Sequence, residues 1–272
     1  MLSWIRRWSR RYIRFSGSPT SWAQAQMISS GYAEGSILER VANSTRLVIS
    51  GKGVYERDGV VFDSVDFSYP LVAMLLHAAA TNKGCLNVID FGGSLGSTYR
   101  QCRPLLHGIP EIRWRIVEQL NFVNLGKTEF ETTELSFYET LDQAVNGCDA
   151  KQVLLFSSVL QYLESPFATL QELDQVNISH LIIDRTPISN EIESRLCIQT
   201  APPQIYRASY PCWVLSNPQL MKFLLKDWDL FADFASPEGA WQTTDGIQFE
   251  FRGFCFLKKL LANSIENTEQ VT

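Results

Sequence analysis

From residue 86 onward, apolar runs alternate with segments whose apolar residues recur every three or four positions. Runs at 86–91, 112–117, 134–138, 152–156 and 180–183 predict five strands. The run at 152–156 is almost wholly apolar, the pattern of a strand covered on both faces. Segments 97–106, one through Val123 and Leu125, 141–145, 166–173 and 218–225 have the helical period, and 228–234 and 247–257 predict a closing pair of strands. Alternating strands and helices specify an α/β fold, here a doubly wound, mostly parallel, seven-stranded sheet of Rossmann-like type. The stretch 189–211 contains Pro202, Pro203 and Pro211 and is predicted irregular.

The front of the chain has a different texture. Between 17 and 84, Ser21 and Ser36 each stand where a helix cap is expected, Asp58-Gly59 signals a turn, and 69–80 is an apolar helix entered through Pro70. This predicts a helical cap ahead of a sheet domain spanning 85–260, with a flexible tail at 261–272. Residues 1–16 form a separate segment in which Met1, Ile5, Trp8, Tyr12 and Phe15 recur at helical spacing between arginines. Such a segment either docks on an anionic membrane surface as a basic amphipathic helix, packs on the domain, or is a frayed tail.

Charge sharpens this division. Five of the 24 basic residues lie in the first fifteen positions, so the remainder sets 19 bases against 29 acids and has no footprint for nucleic acid. Six cysteines without CxxC spacing and three histidines make no zinc site, and reduced buried thiols fit a cytoplasmic protein. No run of about 18 apolar residues is present, so membrane contact is expected only peripherally, through residues 1–15.

In an open parallel sheet, ligands bind beyond the carboxyl ends of the strands. Those ends carry Asp90 with Gly92, Gly93, Ser94 and Gly96, then Glu118, then Ser157, Ser158, Gln161 and Tyr162, and finally Asp184 with Arg185. A dinucleotide fingerprint starting at Gly92 fails at Ser94 and Ser97, and no Gly-Lys-Ser/Thr follows for a phosphate loop. Glu118 is placed either to accept hydrogen bonds from ribose hydroxyls or to be a solvated strand-end acid.

What fits is acid-x-Gly-x-x-x-Gly, Asp90, Gly92 and Gly96. It resembles the first motif of class I S-adenosylmethionine-dependent methyltransferases, with Ser94 in place of the middle glycine. Val159, Leu160, Leu163 and Pro166, after the apolar run from Val153, are similar to that superfamily's fourth motif. The chain from about Trp22 to about Lys258 also resembles a narrower family of methyltransferase-like proteins often encoded among bacterial surface-polysaccharide genes. That likeness rests on Ser21-Trp22, Gly31-Tyr32, Tyr55 to Gly59, Asp90 to Ser97 and Leu160 to Leu163.

The resemblance implies S-adenosylmethionine as cofactor. Asp90, Gly92, Gly93, Ser94 and Gly96 would hold its amino-acid end, Glu118 its ribose, and Ser157 and Gln161 would be further cofactor-binding residues. Phe137 or Tyr138 flanks the adenine or packs in the core. Asp184 is the candidate base, and Tyr162 lies toward the transfer face. Arg185, Tyr210 and Trp213, with Tyr206 and Arg207, are candidates for a small-molecule or glycan acceptor; the alternative is ordinary loop packing. The cluster Tyr55 to Asp58 either lids the cofactor or is a solvated turn. His77, His107 and His180 lie away from the ligand edge. Two rival functions stay open: a non-catalytic binding or scaffold protein, and a nicotinamide-dependent oxidoreductase.

Overall fold

The computed structural model describes residues 13–30, 34–146, 150–172, 177–201 and 208–259. The chain enters through a short strand, β1 (Arg14–Ser16), and helices α1 (Trp22–Ile28) and α2 (Glu34–Ile49) follow. Ser21 caps α1 by accepting from the Gln24 N–H at 3.2 Å. Ser36 is no cap, because α2 starts two residues before it. A hairpin then forms from β2 (Tyr55–Arg57) and β3 (Val60–Phe62). Its two-residue turn has φ of 52° at Asp58 and 73° at Gly59, the left-handed pair that matches strand twist. Helix α3 (Tyr69–Thr81) completes the front section.

The sheet unit begins with β4 (Cys85–Phe91), α4 (Ser97–Cys102), β5 (Glu111–Val117), α5 (Leu120–Leu125), β6 (Leu135–Tyr138) and α6 (Leu141–Val145). It continues with β7 (Gln152–Ser157), α7 (Pro166–Gln171), β8 (Ile178–Ser189), β9 (Arg195–Thr200), β10 (Ser209–Ser216), α8 (Asn217–Leu224), β11 (Trp228–Gln242) and β12 (Gln248–Lys258). The central order is β6-β5-β4-β7-β8-β12-β11, with β4 to β8 parallel and β12 antiparallel to both its neighbours. This is the doubly wound sheet that the alternating pattern specifies.

Side-chain alternation divides its core into two faces. Val88, Val153, Leu155 and Ile182 point to one face, where Leu71, Leu75 and Ala79 of α3 and Val41 of α2 cover them. Ile89, Leu154, Phe156, Leu181 and Ile183 point to the other, against Leu170 of α7 and Leu220 and Leu224 of α8. Each such buried aliphatic side chain contributes about 1.5–3 kcal/mol. Helix α3 is thus part of one of the two helical layers that cover the sheet.

Three strands extend the seven to a ten-stranded sheet among the described residues. The segment predicted irregular contains β9 and the first residues of β10. They pair antiparallel, with Pro211 inside β10, and β10 joins β8 through Leu215 and Ser216. The prolines masked two largely buried strands. Strand β1 adds to β9, burying Phe15 to 1% exposure against Phe249 at 4.9 Å. The predicted amphipathic helix therefore does not reach residues 14–16. Its first twelve residues lie outside the described ones, as do Tyr206, Arg207 and 260–272. Among the described residues no helix is long and apolar enough to cross a membrane, and five cysteines are free thiols.

Candidate functional site

Parallel strands leave their last backbone groups and side chains along one edge, and the loops there are free to vary around a rigid base. At that edge β4 ends in Asp90 and Phe91, and the chain turns through Gly92 at φ 68°. A Cβ on Gly92 would stand 2.3 Å from the Val159 side chain, and one on Gly93 2.6 Å from the Asp90 carboxyl. The glycines let the turn lie directly on Asp90. Ser94, at the middle-glycine position, keeps the left-handed conformation at φ 53°. Its N–H bears on the Glu118 carboxylate, opposing the rise in pKa that burial causes, and that carboxylate accepts from the Gln119 N–H at 2.8 Å. The Gly92 N–H ties the turn to the end of β5 through the Val117 carbonyl at 2.8 Å, and Glu118 beside it has lone pairs left for a ligand.

Asp90 is 1% exposed. One oxygen accepts from the Trp114 indole N–H at 3.0 Å, and Oδ1 has no partner among the described residues. Burial pushes its pKa up to about 7, against the opposing hydrogen bond from Trp114 and the charge of Arg57. Asp184, two residues beyond the level of Asp90 on β8, is also 1% exposed and is pushed to about 7, again chiefly by burial. Its Oδ2 accepts from the Ser157 hydroxyl at 3.3 Å, and its Oδ1 is likewise unpartnered. Gln161 is fully buried; its amide donates to the Ser158 hydroxyl at 3.0 Å, while its Oε1 has no donor among the described residues.

Strand β8 is irregular here. Its register with β12 shifts opposite Arg252 and Phe254, and Arg185 adopts φ 54° in mid-strand. The bulge lets consecutive residues serve the same region: Asp184 packs behind Ser157, and Arg185 lines the cavity, donating to Glu238 Oε1 at 2.7 Å.

The cavity so enclosed measures about 150 Å³. Gly92, Gly93 and Ser94 line it from the turn, Ser157, Ser158 and Arg185 from the strand ends, and Phe122 from α5. Arg57 and Asp58 of the β2–β3 turn and Ile37 and Val41 of α2 close it. The cluster Tyr55 to Asp58 is therefore a wall of this site. Five non-glycine residues have positive φ among the described ones, and four of them, Asp58, Ser94, Ser158 and Arg185, line this cavity. Each such residue costs roughly 1–3 kcal/mol and is kept where surrounding structure enforces it, typically at ligand sites.

Other predicted site residues fall elsewhere. The Tyr162 hydroxyl donates to Gln199 Oε1 at 3.0 Å and its ring meets Tyr210 edge-on at 5.2 Å, in a cluster beside β9 and β10. Trp213 donates to the Leu163 carbonyl at 3.1 Å and stacks on Trp22. It lines a separate cavity of about 710 Å³ between α7 and α8, which contains no residue of the glycine turn. Tyr162, Tyr210 and Trp213 are thus not brought to the Asp90–Asp184 edge. Phe137 is wholly buried in the core, so close to Gly126 that a Cβ there would be 2.5 Å from its ring, and Tyr138 packs beside Leu141. Phe122, four residues after Glu118, is the aromatic on the cavity wall. Its position at the start of a helix after the strand-end acid was the available signal.

No protein-family model matches the chain, and no curated protein matches it. Solved structures with similar folds include the N-terminal domain of EvdMO1, crystallised with SAH and D-fucose, at 14% identity and a TM-score of 0.48 over 84% of this chain and 98% of that one. Others are the magnesium protoporphyrin IX methyltransferase ChlM of Synechocystis PCC 6803 with bound SAM (16% identity, TM-score 0.41, 70% and 77% covered) and an S-adenosylmethionine-dependent methyltransferase of Clostridium acetobutylicum ATCC 824 (8%, 0.46, 82% and 99%). Likenesses this distant carry no functional inference.

Proposed function

We propose that the chain is an S-adenosylmethionine-dependent methyltransferase whose acceptor is a hydroxyl-bearing saccharide or lipid-linked saccharide precursor. The observation that carries the cofactor is the set of buried acceptor atoms without donors around the glycine turn: Asp90 Oδ1, Asp184 Oδ1 and Gln161 Oε1. Unsatisfied buried acceptors are costly and ask for a positively charged or donating ligand. Adenosylmethionine has an ammonium and a sulfonium, whereas a dinucleotide would bring its pyrophosphate against two carboxyls.

In this reading the Asp90 carboxyl, directly beneath Gly93, faces its charge toward the amino-acid end of the ligand. Glu118 accepts from the ribose hydroxyls, and Phe122 lies beside the base. When bound, the cofactor supplies a methyl group already activated on sulfur, so the protein's work is alignment and deprotonation. Ser157 lines the cavity with Asp184 behind it, so a proton leaving an acceptor hydroxyl passes through the Ser157 hydroxyl to Asp184. A base with a pKa near 7 is matched to that transfer at neutral pH. The resemblance to polysaccharide-linked methyltransferases supports the acceptor class.

A second reading, a binding protein without transferase activity, is favoured by the cavity's size: about 150 Å³ is below the usual ~300–1,000 Å³ of small-molecule sites. Isothermal titration of the full chain with adenosylmethionine and with NADH, followed by a transfer assay on nucleotide-linked sugars, tests both. The expected result is adenosylmethionine binding with methyl transfer. Binding of NADH alone overturns the cofactor assignment, and binding of adenosylmethionine without transfer to any saccharide favours the second reading.

A further inference from the structure

The hairpin that closes the cavity is held from both sides. The Arg40 Nε and the Ser44 hydroxyl of α2 donate to the Gly59 carbonyl at 3.2 and 2.9 Å, and the Ser97 hydroxyl of α4 donates to the Glu56 carboxylate. Arg57 sits at this clamped tip, half-buried, on the cavity wall. Its Nε donates to the Tyr55 hydroxyl and its Nη2 to Gln101 Oε1, the latter at 2.6 Å. Both partners are neutral. Six other arginines, Arg46, Arg103, Arg113, Arg185, Arg195 and Arg252, form ion pairs with carboxylates. Among the described residues no carboxylate lies within 4.0 Å of Arg57, although its charge bears on both Asp90 and Asp184. The charges of Asp58 and Glu238 also reach it, but a guanidinium whose direct hydrogen bonds both go to neutral groups keeps N–H donors for an anion at this cavity wall.

We infer that Arg57 is the carboxylate-binding group of this cavity and that, with the glycine turn, it selects a ligand bearing a free α-carboxylate. This rests on the adenosylmethionine reading. The amino-acid end of that cofactor is a zwitterion and needs opposite charges on two walls. Asp90 provides the negative charge beneath Gly93, and Arg57 provides the positive charge from the hairpin. The turn alone offers no cation, so the front section of the chain completes the cofactor site. The protein then distinguishes adenosylmethionine from its decarboxylated form, which keeps the sulfonium, adenosine and amine.

Titration calorimetry of the full-length protein with both compounds tests this. Wild type is expected to prefer adenosylmethionine by about 10-fold or more, and Arg57→Gln to weaken it by about 10- to 100-fold while changing the decarboxylated compound less than about 3-fold. Arg57→Lys keeps the charge without the fork, so it recovers part of the preference. It also serves as the measured variant if the glutamine form does not fold. Equal weakening of both ligands makes Arg57 a structural strut and overturns the inference. So does adenosylmethionine binding untouched by either substitution, the result expected if the anion belonged to the acceptor. If wild type binds neither compound, the adenosylmethionine reading itself fails and the inference falls with it.

Discussion

At the carboxyl edge of the sheet, Asp90, Asp184 and Gln161 are buried with acceptor atoms that meet no donor. At the amino edge, His180 is as deeply buried, at 3% exposure, yet both its ring nitrogens are engaged: one lies 3.0 Å from His77 Nδ1 and the other 2.8 Å from the Ser179 hydroxyl. His77 in turn stacks on Phe231 at 4.4 Å, fastening α3 to the sheet. The backbone differs in the same way. Four left-handed non-glycine residues surround the carboxyl-edge cavity, and the fifth, Lys83, sits beside Gly84 in the turn that leads into β4. Burial alone therefore does not mark a site. Burial with unsatisfied atoms and strained backbone does, because packing would otherwise have removed both.

The largest effect that would break this contrast is on ligand binding. Asp90→Asn removes the negative charge beneath Gly93 while keeping an acceptor for Trp114. It should weaken adenosylmethionine by about 10- to 100-fold, read by calorimetry, without lowering the melting temperature of the free protein. Unchanged affinity would mean that the orphaned carboxyl is not facing a ligand.

The two edges should also respond to pH with opposite sign. Asp90 and Asp184 have native pKa values near 7 against an ordinary 3.8. Their native forms hold protons that the unfolded chain has lost, so their contribution declines as pH rises from about 4 through 7. His180 is held down to about 4 from 6.5, chiefly by burial, with the charge of His77 adding to it. The unfolded chain takes up that proton first, so this contribution is lost as pH falls from about 6.5 toward 4. Melting curves across pH 4–8 should show the falling limb flattened in Asp90→Asn and the rising limb flattened in His180→Ala. His180→Ala should also cost about 2 kcal/mol at neutral pH and leave adenosylmethionine binding within about 2-fold. A binding loss from His180→Ala as large as that from Asp90→Asn would abolish the distinction between the edges.

Much of this edge was legible in the chain. Asp90, Gly92 and Glu118 are set by local pattern, because a strand-end acid and a sharp glycine turn are short-range features. The position of Arg185 was legible but its conformation was not, since the bulge arises only when β8 pairs with β7 on one side and β12 on the other. Trp213 misled for the converse reason. Its segment looked like loop because of neighbouring prolines, and only the β9–β10 pairing shows that the indole stacks on Trp22, away from the glycine turn. The β2–β3 turn was visible as Asp58-Gly59, but its seat above residue 92 depends on contacts between residues about 40 apart, such as Glu56 with Ser97. Glu238 lies in an irregular stretch of β11, where the register shifts between Ala235 and Ala240, and no local pattern marks it.

The smallest expected effect concerns Ser94, and it decides what the missing middle glycine means. At φ 53° a serine pays for a conformation that glycine adopts without strain. Its backbone N–H is what bears on Glu118, and Ser94→Gly keeps that N–H. If the hydroxyl has no part in binding, Ser94→Gly should raise stability by about 0.5–1 kcal/mol, seen as roughly 1–3 °C in the melt, with adenosylmethionine affinity changed less than about 3-fold. If affinity instead falls by about 10-fold, the loss has the size of a hydrogen bond to a charged group. The serine would then be retained as a ligand-binding side chain at a strained position, and the strain at this edge would be directly coupled to binding.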